Sequence, residues 1–298
     1  MRLIGELFFT LLWATSLSLT ALFLATRMLW VGLGVTPAEL LDTLRARGLV
    51  LRTLVANLLA VPALAAVLVT VLPLTADARV AILLLAAVPG GIDVLSRRHA
   101  AARGNVNQAA LVFLLSSVAI VVTPVMRLLM LRVGPPMALS YGRFIAVSVL
   151  GLLVPLLVGL AIRATAPVVA GVLTRVTAVL SLVLFVAATV AIVVVSGRQR
   201  HGLGPLDVLA MALFVLGAGA IGWLIGGPAT PTRRLLAHVT AMRNVGLGLM
   251  IATVGIPHGG VALAIVVFVV VLIALRVLFA WPELTRRRLS VDHAVPSA

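Results

Sequence analysis

The sequence predicts an all-α membrane protein with about nine transmembrane helices, and three observations carry that prediction. Hydrophobic residues make up 62% of the 298, roughly 185 residues. That is enough for about nine spans at ~20 residues each. Charged residues are only 10%, against ~25% in an ordinary soluble domain. The apolar runs are continuous, whereas a transmembrane barrel needs short alternating segments. A soluble core cannot hide this much apolar surface, and disorder requires low hydrophobicity and high charge.

Each span is a hydrophobic run bounded by charge, Gly or Pro. Helix 1 is expected at about 5–31 and helix 2 at about 49–72. Helix 3 covers about 78–101 and is interrupted at Pro89, Gly90 and Gly91. Helices 4, 5 and 6 follow at about 106–131, 143–164 and 168–196, then helix 7 at about 206–226. Helix 8, about 233–255, carries polar residues in its middle, and helix 9 is about 260–281. A short polar tail, 282–298, closes the chain. The first apolar run is too long for a signal-peptide h-region, and Glu6 spoils the n-region, so it reads as a retained span.

All 23 basic residues are arginines, and the formal net charge is +15. They sit singly or in short groups between apolar runs, which reads as topology and excludes nucleic-acid binding. One set of loops holds thirteen of them and the other seven, with Arg27, Arg243 and Arg276 inside spans. The positive-inside rule then puts the N-terminus outside and the C-terminus in the cytoplasm of a multi-pass cell-membrane protein. Cysteine is absent, so disulfides and thiolate chemistry are excluded. No two histidines lie at metal-ligand spacing, and no catalytic motif is present, so no enzyme and no resident cofactor are expected.

Helices 3 and 8 depart from the Leu/Val/Ala pattern. Proline removes a helix donor and paired glycines loosen the backbone. Freed peptide groups at membrane depth are tolerated only inside protein or beside a watery cavity. Eleven residues separate Arg79 from Gly90, about 16 Å of helix, which places the break near the midplane. Arg243 lies ten residues past Arg233 and is also midplane. An arginine there costs at least ~2.5 kcal/mol on insertion scales and needs a partner. Asp93 is the acidic residue nearest the middle of a span, so Asp93–Arg243 is the economical pairing. It reads either as a structural ion pair or as a substrate or coupling site. Carriers build midplane sites from discontinuous helices, which favours the second. Gly246 adds to the break in helix 8, and Thr240 supplies a hydroxyl beside it. The two breaks fall in corresponding helices of each half, suggesting inverted five-helix repeats with the first helix missing.

These residues carry a resemblance. The stretches MLWVGLGVTPAELL (28–41), LVANLLAVPAL (54–64), AAVPGGIDVLSRRHAAARGNVNQ (86–108) and AMRNVGLGLMIATVGIP (241–257) resemble the bile acid:sodium symporter family. The resemblance implies two broken helices that cross at the substrate site. It implies a panel of helices at about 5–31, 143–164 and 168–196, and a core at about 49–131 and 206–281. It also implies an organic anion as substrate, with sodium bound in the core. Of the family's sodium ligands, Asn57 keeps an amide five residues before Pro62. At the first broken helix, Asp93 and Ser96 flank the family's Ser-Asn positions, and Gln108 aligns with a helix-4 hydroxyl. In helix 8, Val239 stands at the family's Glu position and Arg243 at its Gln position, while Asn244 is retained. A guanidinium has no acceptor atom, so Arg243 is expected to stand in for a sodium near Asn57.

The expected function is therefore a secondary transporter of a small organic anion, working by alternating access within the lipid bilayer. The candidate residues are Asn57, Asp93, Ser96, Gln108, Thr240, Arg243 and Asn244. Sodium-independent carriage, proton-coupled or facilitative, is the near alternative, and a scaffold or sensor built on a carrier fold is the distant one.

Overall fold

The structure is a computed structural model. It describes residues 2–91, 107–130, 141–196, 202–255 and 260–292. Among these residues every regular element is a helix.

Helix α1 (Arg2–Leu33) leads into α2 (Pro37–Arg45), a short helix where the sequence reading placed only a loop. Its start is a capping box. The Glu39 main-chain N–H donates to Thr36 Oγ1 at 3.2 Å, and the Thr36 N–H donates to Glu39 Oε2 at 2.8 Å. Pro37 takes the first helical position, where its missing N–H costs nothing. Helix 2 of the sequence reading is continuous in path, but it is built from α3 (Arg47–Val55), a π turn at Ala56–Ala60, and α4 (Val61–Val71). Pro62 explains the π turn, because it has no N–H and its ring clashes with the carbonyl four residues back.

α5 (Ala76–Ala87) ends at the expected first break, where Val88–Gly91 is non-helical. α6 (Asn107–Met130) follows. α7 (Tyr141–Ser148) and α8 (Val154–Thr165) are joined by a second π turn, Val149–Leu153, again just ahead of a proline, Pro155. α9 (Pro167–Ser196) and α10 (Pro205–Ile225) are uninterrupted. The second broken helix is α11 (Thr230–Ala241) plus α12 (Val245–Gly255), and α13 (Gly260–Asp292) completes the fold.

Six stretches are long and apolar enough to cross a membrane: Thr10–Leu33, Arg47–Val71, Pro167–Ser196, Pro205–Ile225, Thr230–Gly255 and Gly260–Leu278. Gln108–Thr123 and Val149–Thr165 are apolar but shorter. The expected span at 78–101 is described only as far as Gly91. Six long spans, rather than the expected nine, are therefore the count among the described residues, and they make the chain a multi-pass membrane protein.

The sorting of residues on α9 is that of a lipid-facing helix. Val172, Val176, Val179, Val183, Val186 and Val190 are exposed, while Ala170, Ala178, Ser181 and Ala188 are buried. Large apolar side chains face outward and small ones inward, because membrane helices associate through close backbone approach. α1 packs along α8 and α9, with the Phe23 and Phe185 rings 5.1 Å apart. A second group packs around α5 and α10, and includes α4, α11 and α13. Within it, buried Asp207 ties two helix starts together. Its carboxylate accepts from the Thr75 N–H (3.0 Å), the Thr75 hydroxyl (3.0 Å) and the Gly204 N–H (2.8 Å).

The α1–α8 contact depends on Gly32 and Gly159. A Cβ on Gly159 would overlap the α1 main chain at Leu29 and Leu33, and one on Gly32 would overlap Leu156 and Leu160. Overpacking of this kind costs about 1–3 kcal/mol. Gly159→Leu is therefore expected to lower the thermal unfolding midpoint in detergent. Gly171→Leu, at a site with open space around it, is expected to leave the midpoint unchanged.

Candidate functional site

The site forms where both broken helices stop. α5 ends at Ala87 because Pro89 has no N–H and disfavours helical backbone at the residue before it. Val88 accordingly leaves the helix at φ −111°, ψ 78°. α11 ends at Ala241, and Met242 is extended at φ −81°, ψ 121°. Here no proline acts. Asn244 instead starts a new helix, its Oδ1 accepting the Leu247 N–H at 3.0 Å. Asparagine is favoured at such starts because its side chain satisfies an otherwise orphaned N–H. Both leading halves, α5 and α11, are 12 residues long, about 18 Å, so both breaks lie well inside a ~30 Å hydrocarbon layer.

The breaks touch. The Asn244 N–H donates to the Val88 carbonyl at 3.1 Å. A Cβ on Gly91 would overlap the main chain of Arg243, so glycine is required for this approach.

A broken helix exposes carbonyls, and here nearly all of them find partners. Arg243 Nε donates to the Leu85 carbonyl at 2.8 Å, and Nη2 donates to the Ala86 carbonyl at 2.6 Å. Thr123 Oγ1 donates to the Ala87 carbonyl at 2.9 Å, and Ser116 Oγ donates to the Gly90 carbonyl at 3.1 Å. Leu85, Ala86 and Ala87 are the last residues of α5 and Gly90 lies just beyond it. The Leu85 carbonyl also accepts the Val88 N–H at 3.3 Å, and helix ends commonly leave such carbonyls to outside donors.

Arg243 makes its third bond to Asn57, with Nη1 donating to Oδ1 at 2.8 Å. Asn57 sits in the π turn and is fully buried. Its Nδ2 donates to the Thr53 carbonyl at 3.0 Å and more weakly to Thr240 Oγ1 at 3.4 Å. That orients the amide with its oxygen toward the guanidinium. Arg243 is 2% exposed. Its three acceptors are neutral oxygens, and none is a carboxylate. Helix ends supply the compensating charge. Arg243 caps the C-terminus of α5 and follows the C-terminus of α11 by two residues. Each such end carries about half a negative charge. Charge-assisted bonds of this type contribute about 1.5–3 kcal/mol each, enough to offset the insertion cost of arginine.

The structure thus brings Asn57, Thr240, Arg243 and Asn244 together around Pro89, Gly90 and Gly91. Asp93 and Ser96 lie outside the described residues, so the Asp93–Arg243 pairing is not described. Gln108 is half-buried in the first turn of α6 and makes no hydrogen bond with this cluster. Gly246, expected in the break, lies inside α12 instead. It lets α1 approach, since a Cβ there would meet Leu24 and Phe23 at 3.1 and 3.3 Å. The Asn244 cap starts the helix before Gly246, so that residue has no break to make. Missed from sequence were the Leu85 and Ala86 carbonyls, together with Thr123. Ser116 of α6, which carries no sequence signal of its own, satisfies Gly90 at the break.

One polar group in the site has no partner among the described residues. The Asn244 side-chain Nδ2 is buried and makes no hydrogen bond. It stands at the N-terminus of α12, where main-chain N–H groups and the helix dipole favour an anion.

Comparison with known proteins decides the family. The family described as Sodium Bile acid symporter family matches residues 21–201, about three-fifths of the chain. The chain belongs to the sodium bile acid symporter family. Members of this family are transporters rather than enzymes. The match ends before α11, so Arg243 and Asn244 rest on geometry alone. No curated protein matches the chain significantly.

Removing the guanidinium while keeping the volume would take the donor from the Ala86 carbonyl and from Asn57 Oδ1, at about 1–3 kcal/mol for each buried acceptor left unsatisfied. Arg243→Met is therefore expected to lower the unfolding midpoint in detergent markedly. Asn57→Leu, which removes one acceptor of three, should lower it less. Equal midpoints for wild type and Arg243→Met would contradict this account.

Proposed function

We propose that the chain is a secondary carrier for organic anions, working by alternating access around the two helix breaks. The observation that carries this reading is the buried Asn244 amide N–H2, left without a partner at the start of α12 and beside a fixed cation. A carboxylate placed there would accept from Asn244 Nδ2 and from the helix N-terminus. Two of the five N–H groups of Arg243 are also unassigned once its three bonds are counted. Guanidinium binds carboxylates through paired, directional bonds. Broken helices in carriers use the same arrangement, with helix N-termini toward the anion and C-terminal ends toward the cation. In this reading α1, α8 and α9 form the panel, and the elements around α5, α10 and α13 form the core that moves against it.

A finer reading concerns the coupling ion. A sodium site at the end of α5 would need the Leu85 and Ala86 carbonyls and Asn57 Oδ1, and Arg243 already occupies all three. The oxygen set fits a cation, and the chain supplies that cation covalently. Transport is accordingly read as independent of sodium.

A thermal-shift screen of organic carboxylates and sulfonates tests both readings, run in sodium and in choline buffers. The expected result is at least one anion that raises the midpoint equally in both buffers. Asn244→Ala should weaken that response tenfold or more in apparent affinity. A response that requires sodium would overturn the coupling reading and leave the carrier reading intact. A library without hits, together with no counterflow in liposomes, would favour a scaffold or sensor.

A further inference from the structure

A second group of polar side chains converges far from the helix breaks, at the end of the molecule where α10 turns into α11. Gly227 lies in that turn with φ +89°, a conformation open to glycine and strained for other residues. Arg233 Nε donates to the Gly227 carbonyl at 2.6 Å. Arg52 arrives at the same residue from α3, and its Nη1 lies where a Cβ of Gly227 would stand. Two guanidiniums therefore meet around one glycine. Among the described residues neither is paired with a carboxylate, and the one ion pair there is Asp42–Arg45, which is exposed. Like charges gathered without a counter-charge repel one another, so the arrangement is favourable with an anion between them.

Position and surroundings identify the kind of anion. Arg52 is five residues inside the apolar stretch Arg47–Val71, and Arg233 is three residues inside Thr230–Gly255. Those offsets correspond to about 7 Å and 5 Å of helix, the depth of the headgroup layer. Apolar side chains continue from the pair into the membrane. Val55 and Leu59 are exposed on the helix face that starts at Arg52, and Leu224, one turn before Gly227, is 76% exposed. α10 packs against α4 along this path, with Gly217 against Leu64. A charged head above a strip of exposed aliphatic side chains matches a phospholipid better than a soluble phosphate. The expected topology, with the arginine excess inside, puts this end at the cytoplasmic leaflet, which is rich in anionic lipid.

We propose that Arg52 and Arg233 hold the phosphate of an anionic glycerophospholipid, whose acyl chain lies along Val55, Leu59 and Leu224. The guanidiniums donate paired hydrogen bonds to the phosphate oxygens. The lipid then bridges α3, which leads into Asn57, and α11, which leads into Arg243. This site is independent of the anion-carrier reading and would stand if that reading failed.

The test is native mass spectrometry and thermal unfolding of the full chain in detergent. The probes are phosphatidylglycerol, phosphatidylcholine and inorganic phosphate. Phosphatidylglycerol is expected to remain bound at collision energies that strip phosphatidylcholine, and to raise the midpoint by several degrees. Arg52 makes no described hydrogen bond, so Arg52→Gln should keep the fold and reduce phosphatidylglycerol retention at least fivefold. Arg45→Gln removes a charge at the same end without touching Gly227 and should retain the lipid. Equal retention of the two lipids by the wild type would overturn the proposal. So would stabilisation by inorganic phosphate alone, or undiminished retention by Arg52→Gln. The lipid comparison on the wild type stands without the variants.

Discussion

A single guanidinium organises the centre of this protein. One transmembrane helix is broken between α11 and α12, and a second, α5, stops beside that break; both helix ends leave buried main-chain carbonyls. Arg243 supplies donors to two of them, and the asparagine of a neighbouring π turn holds it from the other side. Among the described residues the charge is offset by the C-terminus of α5, which Arg243 caps. The carbonyls are tolerable because the charge is there. Neither element is stable in hydrocarbon without the other, so the breaks and the arginine form one unit. Hydroxyls from α6 complete it at Ala87 and Gly90.

Around that unit the fold follows membrane rules. The outer face of α9 is rich in valine, and its inner face mixes alanine and serine with Phe185 and Ile192. α1 and α8 approach through facing glycines. Polar anchoring is placed at helix starts, as with Asp207 spanning the caps of α5 and α10. The polar ties lie at the helix ends and the break, while lateral packing mixes small residues with aromatic contacts such as Phe23 against Phe185.

Much of this was legible from the sequence, for identifiable reasons. Continuous apolar runs revealed the helices, because a residue in lipid has no polar option. Pro89-Gly90-Gly91 revealed the first break, because proline acts through covalent geometry. Arg243 stood out because charge at the midplane is rare. Its described partners were not legible. Leu85 and Ala86 act through carbonyls that every residue possesses, so no side-chain pattern marks them. Composition points to Gly246 for the second break, whereas the asparagine cap sets it two residues earlier. Thr36-Pro37 with Glu39 spells the start of α2. The π turns follow from Pro62 and Pro155, but their effect on the direction of Asn57 needs three dimensions.

The tethering of the cation bears on electrical accounting. A carrier that binds a dissolved ion takes its charge across and releases it, and the charge appears in the current. Arg243 cannot be released. If its cluster shifts through the membrane field, each elementary charge exchanges ~2.3 kcal/mol per 100 mV for a full crossing, and the same energy is returned on the way back. On the proposed reading, voltage biases which way the empty protein faces, while net current over a closed cycle counts only what the substrate and any co-transported ion bring.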